Sequence, residues 1–179
     1  MFDNIFFKKS ELKYCGTNVI IGKTVRIRYP ELVSISDNVI IDDFTYISTE
    51  LKINDNVHIS SGCKIIGGAK SKVSIDSFST LAPNVVLAAG SDDYSSGIAG
   101  PVVPMEYKGN PEIGFIKIGR HSIIGANSTV MPNVVINDGA SVGAQSLVKN
   151  SLNAWTLSAG IPTRYIGKRD FKEIKRLEK

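Results

Sequence analysis

The stretch Gly90-Ser91-Asp92-Asp93-Tyr94 sets two carboxylates beside an aromatic ring. A carboxylate with an ordinary pKa of about 3.9 is a poor base toward a hydroxyl. It is well suited to an amine: it can bind the ammonium form, orient the free amine, and accept or relay its proton. Asp92 and Asp93 are therefore both candidate catalytic residues, and Asp93 can equally cap the loop in which it stands. Ser91 is a neighbouring candidate for substrate binding, and Tyr94 can stack on a base or sugar or simply pack. The chain has two histidines. His58 is a candidate base or orienting residue, since imidazole takes up protons near neutral pH. His121, inside IGRHSIIG, reads as structural. Two histidines cannot supply a three-histidine zinc site, so no metal is expected. Cys15 and Cys63 have no CxxC spacing and read as buried free thiols in a reducing compartment.

These acids interrupt a rhythm. From Ile118 onward the chain divides into hexads led by Ile118, Ile124, Val130, Ile136, Val142 and Val148. An earlier block does the same at Ile35, Ile41, Ile47, Ile53, Ile59 and Ile65, and a third runs through Ile75, Leu81 and Leu87. Ile21 and Ile27 mark a weak start. A period of six fits neither an amphipathic helix nor an alternating strand. It fits short strands with a tight corner after each, one aliphatic residue pointing inward, and Gly, Asn or Asp where the corner needs positive φ. Three hexads make one triangular turn, so about seventeen hexads give roughly six coils. The expected fold is all-β, a single parallel β-helix domain over 1–179 with coils at about 19–165.

Between Leu87 and Ile118 the hexads stop. The segment from 90 to 115 carries Gly97, Gly100, Gly109 and Gly114 with Pro101, Pro104 and Pro111. It is expected to be a long loop thrown out of a rigid scaffold, where functional residues concentrate. Packing against a neighbouring copy is its other natural role. At the chain's end Phe171, Ile174 and Leu177 recur every three residues, predicting a short α-helix over about 168–178 that caps the last coil.

The formal net charge is +4, and residues 164–179 hold seven Lys or Arg against three acids, so the whole surplus sits in this tail. No basic stripe interleaved with aromatics is present, which argues against nucleic acid. No apolar run approaches about eighteen residues and no signal peptide is visible, so a soluble cytoplasmic protein without stable membrane insertion is expected. There is no GxxxxGK[ST] and no GxGxxG before a helix, so neither nucleotide fold is expected.

The hexads resemble those of the hexapeptide-repeat acyltransferases, which fold as left-handed parallel β-helices. The resemblance covers most of the chain and implies a homotrimer with sites in clefts between coils. APNVVLAAG is similar to the sugar-acetylating branch, with Ala82, Pro83, Asn84 and Gly90 at matching positions and Asn84 a substrate-binding candidate. That branch then has a catalytic histidine, where this chain has Ser91 and Asp92. The departure favours an amine acceptor over a hydroxyl. The insert, VGAQSLV and AWTLSAGIP resemble acyltransferases of surface-polysaccharide clusters, such as lipopolysaccharide O-antigen loci, some of which acetylate nucleotide-linked amino sugars such as dTDP-4-amino-4,6-dideoxyglucose. The resemblance implies acetyl-CoA as co-substrate. Gly125, Ala126, Gly143 and Ala144 would let an extended ligand approach the coil, although a tight coil needs small residues there anyway. Ser158, Ala159, Gly160 and Pro162 match a segment that leaves the last coil beside coenzyme A, and Arg164, Lys168 and Arg169 would meet its phosphates. The alternatives are O-acetylation of a sugar hydroxyl through His58, and a non-catalytic β-helix scaffold.

Overall fold

The structure, a computed structural model, describes residues 4–177. The chain winds into a parallel β-solenoid whose coils stack by strand pairing. One face is built from Ile20–Ile21, Ile40–Ile41, His58–Ile59, Thr80–Leu81, Ile123–Ile124, Ser141–Val142 and Thr156–Ala159, in that order. Seven parallel strands on one face mean seven coils, against the roughly six expected. The extra coil comes from the ends. The first coil has only Ile21 and Ile27 as hexad leads, and the last turns Ser158 inward, so neither announces itself as a full set of hexads.

A second face stacks Arg26–Ile27 on the following coils up to Leu147–Val148, and a third runs from Tyr14–Cys15 to Val134–Ile136. The strands Tyr46–Ile53 and Lys64–Ile75 cross from the second face to the third. The hexad leads are the core. Ile41, Ile59, Leu81 and Ile124 form one fully buried column, Ile47, Ile65, Leu87 and Val130 another, and Ile35, Ile53, Ile75, Ile118 and Ile136 a third. Removing one such side chain to Ala costs about 2–5 kcal/mol, because stacked coils cannot close around the void.

The corners need left-handed backbone. Asn18, Asn38, Asn56, Asn84, Asn127 and Asn133 supply it at φ values between 51 and 61°. Asn tolerates this region better than most residues. His121 (φ 59°) and Trp155 (φ 55°) hold equivalent corners, which places His121 in the structural role its hexad suggested. Cys63 is buried, and burial pushes its thiol up to about 11, so it is no nucleophile. Cys15 is only half-buried, because it lies in the end coil.

The C-terminal segment departs from the expected helix. Arg164–Lys168 returns as a strand antiparallel to Thr156–Ala159, and only Lys172–Leu177 is helical. The pairing groups of 164–168 are consumed by the last coil, so the helix starts later. Position 178 and the Leu177 side chain lie outside what the structure describes.

Candidate active site

The interruption leaves the solenoid at one corner. The chain exits after Val86–Ala88 and re-enters at Phe115–Ile118. Gly90–Ser91 pairs antiparallel with Glu112–Ile113 and closes the base of the loop, so the excursion spans 90–113 rather than 90–115. Phe115 already pairs with Lys72 of the coil below.

One coil earlier the same corner carries a bulge, Gly67 to Ser71, inside the strand Lys64–Ile75. Between bulge and loop base lies a cleft of about 350 Å³ lined by Gly67, Gly68, Ser91, Asp92, Lys108 and Glu112 among others. Its floor is glycine on glycine. A Cβ on Gly67 would lie 2.9 Å from the Gly90 nitrogen, so neither residue tolerates a side chain. Glu112 is held by Asn133, whose Nδ2 donates to its Oε1 at 2.6 Å.

The two adjacent acids diverge. Asp92 lines the cleft. Asp93 faces its own loop, accepting from the backbone N–H groups of Ser95 (2.9 Å), Ser96 (3.1 Å) and Asn110 (3.0 Å), and from the Ser95 and Ser96 hydroxyls at 2.8 and 2.5 Å. These donors, the Ser96 hydroxyl foremost, hold its carboxyl well below the usual carboxylate range. Such a group organises a loop and accepts protons poorly. Ser91 lines the cleft, its Oγ donating to the Asp92 carbonyl oxygen at 3.1 Å. Tyr94 is 88% exposed on the loop and packs against no core.

The other acceptor-side candidates stand elsewhere on the same chain. His58 lies on the first-described face, where its Nε2 meets Asp42 Oδ2 at 2.8 Å. Asn84 holds a left-handed corner, its Oδ1 filling the space beside Gly62. The structure thus brings Ser91 and Asp92 together and leaves His58 and Asn84 outside their cleft.

The donor-side candidates share a different corner. Gly125 packs on Gly143 and Ala144 of the next coil, where a Cβ would lie 2.4 Å from the Ala144 nitrogen. Gly143 packs in turn on Ala159. Ala126 accepts from the Gln145 N–H at 2.8 Å, Ser158 from the Gly143 N–H at 2.9 Å, and the Gly160 N–H donates to Ser146 Oγ at 3.0 Å. Coil stacking alone therefore requires these small residues. Pro162, Arg164 and Lys168 are exposed at the end of this ladder. Arg169 is not free for a phosphate in the same way. Its Nη1 donates to the carbonyl oxygens of His121 (2.6 Å) and Gly139 (3.0 Å), and the guanidinium lies 5.9 Å from the Trp155 ring centre. It ties the tail to the coils.

Comparison with known proteins agrees with this geometry. The model of the bacterial transferase hexapeptide, six repeats, matches residues 115–150. A dTDP-4-amino-4,6-dideoxy-D-glucose acyltransferase of Escherichia coli is 37% identical over 174 residues, covering 95% of this chain and 89% of the relative. The chain belongs to the hexapeptide-repeat acyltransferases. Among solved structures, AntD, an N-acyltransferase from Bacillus cereus in complex with dTDP and 3-hydroxybutyryl-CoA, superposes with a TM-score of 0.90 at 35% identity, over 98% of this chain and 95% of AntD. A maltose O-acetyltransferase from Clostridium difficile 630 superposes at 0.61 with 19% identity, a likeness of fold alone.

In this hexapeptide acyltransferase several cleft residues were not singled out by sequence: Gly67, Gly68, Lys108 and Glu112. A signal existed for the glycines. The leads Ile65 and Ile75 fall ten apart instead of six, which marks the bulge. Lys108 and Glu112 had none, since the loop has no period to violate.

Proposed function

We propose that this acyltransferase moves an acyl group from acyl-CoA to the amino group of a nucleotide-linked amino sugar, dTDP-4-amino-4,6-dideoxyglucose being the favoured acceptor. The observation that carries the reading is Asp92, a cleft carboxylate standing where the sugar O-acetylating branch has its histidine. The similarity to the E. coli dTDP-amino-sugar acyltransferase, and to AntD with dTDP-4-amino-4,6-dideoxyglucose and coenzyme A, supports it. AntD variants with an aspartate replaced by Asn or Ala have also been solved with dTDP and coenzyme A.

Asp92 binds the acceptor's ammonium group and holds the amine, once neutral, against the thioester carbonyl. The nitrogen forms a bond to the carbonyl carbon, the C–S bond breaks, and coenzyme A leaves as thiolate. The nitrogen's proton passes to Asp92 or to the leaving thiolate. Rate enhancement rests mainly on holding two substrates in line, with a backbone N–H stabilising the oxyanion. Asp93 shapes the loop that presents Asp92.

The acceptor cleft and the donor ladder occupy different corners of one prism. That separation supports a homotrimer in which one copy's cleft faces another copy's ladder. Acetyl-CoA is the simplest donor, Arg164 and Lys168 the phosphate contacts, surface-polysaccharide synthesis in the cytoplasm the natural setting. No helix among the described residues is long and apolar enough to cross a membrane.

O-acylation of a sugar hydroxyl has one observation in its favour, the 2.8 Å pair of His58 with Asp42, which would orient an imidazole base. The test is to incubate the protein with acetyl-CoA and each acceptor and to locate the new acyl group by mass spectrometry and NMR. An amide on the amino sugar supports the first reading, and an ester supports the second.

A further inference from the structure

The third face carries a feature outside the cleft. Along its outward-facing positions Lys52, Ser74 and Lys117 stand in register on three neighbouring strands. They line, with Asn54 and Asp76, a hollow of about 190 Å³. Asp76 does not neutralise both lysines. Its Oδ1 accepts from Asn54 Nδ2 at 2.9 Å and from the Ser77 N–H at 2.7 Å, and the Arg120 charge acts on it as well as Lys117. Among the described residues neither Lys52 nor Lys117 has a carboxylate within ion-pair distance, whereas Lys72 on the same face is paired with Glu50 at 3.5 Å. Two ammonium groups and a hydroxyl in a hollow suit a phosphate or diphosphate.

The hollow is reached from the cleft along the chain that re-enters the solenoid. Ile113, in the loop-base strand Glu112–Ile113, lines the cleft, and after Gly114 the strand Phe115–Ile118 carries Lys117, four residues on and so at most about 13 Å away. A hexose ring with its attached diphosphate spans a distance of that order.

We infer that Lys52 and Lys117, with Ser74, bind the diphosphate of the acceptor nucleotide while the sugar's amine sits at Asp92. The inference rests on the reading of the acceptor as nucleotide-linked. It assigns the third face to the acceptor and leaves the opposite corner to the donor. The same chemistry could serve the phosphates of coenzyme A, so the test separates the two.

The Lys52→Gln/Lys117→Gln double variant is compared with wild type and with Lys13→Gln, a lysine on the first coil. Binding of dTDP and of coenzyme A is measured by calorimetry, and KM is measured for each substrate. The expected result is at least tenfold weaker dTDP binding and a matching rise in KM for the nucleotide sugar, with coenzyme A binding within twofold of wild type. Loss of coenzyme A binding instead, or no change in either ligand, overturns the assignment. Because dTDP binding is read without turnover, the wrong acceptor sugar would silence the kinetics yet leave this outcome readable. An unchanged thermal midpoint shows that the fold is intact.

Discussion

The carbonyl oxygen of Gly67 lies 2.8 Å from the point where Gly90 would carry a Cβ. Two coils thus meet backbone to backbone beneath the cleft, with the buried Ser71 hydroxyl at 2.9 Å from the same point. A methyl group there has no room. Gly90→Ala must lift the loop base off the bulge, and overpacking of this kind costs about 1–3 kcal/mol. The expected outcome is a lower thermal midpoint and a loss of activity larger than the stability change explains, read by calorimetry and by thiol release.

Asp92 and Asp93 should separate by kind of defect. Asp92→Asn keeps shape and removes charge, and is expected to cut kcat/KM by about 10²–10⁴-fold, the range of a positioned proton acceptor, with an unchanged thermal midpoint. Asp93→Asn removes the charge that five donors converge on and turns Oδ2, the acceptor from the Ser96 hydroxyl and the Asn110 N–H, into a donor, and should loosen the loop, measured as faster cleavage within 94–110 by limited proteolysis.

Loop order should also depend on pH. The folded-state pKa of Asp93 is depressed by its donors, so its contribution is fully present above the unfolded carboxylate value and is lost as pH falls toward the folded value. Proteolytic protection of the loop should therefore hold at neutral pH and weaken only below about pH 4. In Asp93→Asn this acid dependence should vanish. Persistence of the same acid transition in the variant would assign it to another group.

The tail offers a third contrast. Arg169→Ala removes charged hydrogen bonds to two carbonyl oxygens, each worth about 1.5–3 kcal/mol net, and should lower the thermal midpoint. Arg164→Ala with Lys168→Ala should instead raise KM for acyl-CoA with little change in stability, since both side chains are exposed. Equal effects of the two changes on KM would return Arg169 to the phosphate site.

The fold was legible because the solenoid writes its core into the sequence once per hexad, and the columns through Ile59 and Ile65 are those leads. Only the end coils escaped, where the core gives way to caps such as Phe7 and Leu12. The site was half legible. A broken period marked the loop, and residue chemistry marked Asp92 and Asp93, yet nothing in the sequence distinguishes an acid that faces a cleft from one that faces Ser95 and Ser96. That choice is made by loop closure through Ser91 and Glu112, a long-range pairing without a local signature. The contacts of Arg169 were hidden for a similar reason: its partners at His121 and Gly139 are distant in sequence.

His58 provides the counter-test. Its pair with Asp42 is half exposed, and such pairs contribute about 0–1 kcal/mol. His58→Ala should keep amine acylation within a fewfold of wild type and leave the thermal midpoint nearly unchanged.

The most direct measurement is acetyl-CoA-dependent thiol release with dTDP-4-amino-4,6-dideoxyglucose and with its 4-hydroxy counterpart, using wild type, Asp92→Asn and His58→Ala. The expected result is turnover of the amine alone, cut by about 10²-fold or more in Asp92→Asn and retained in His58→Ala. Turnover of the hydroxyl sugar, lost in His58→Ala and kept in Asp92→Asn, would contradict the role given to the cleft carboxylate.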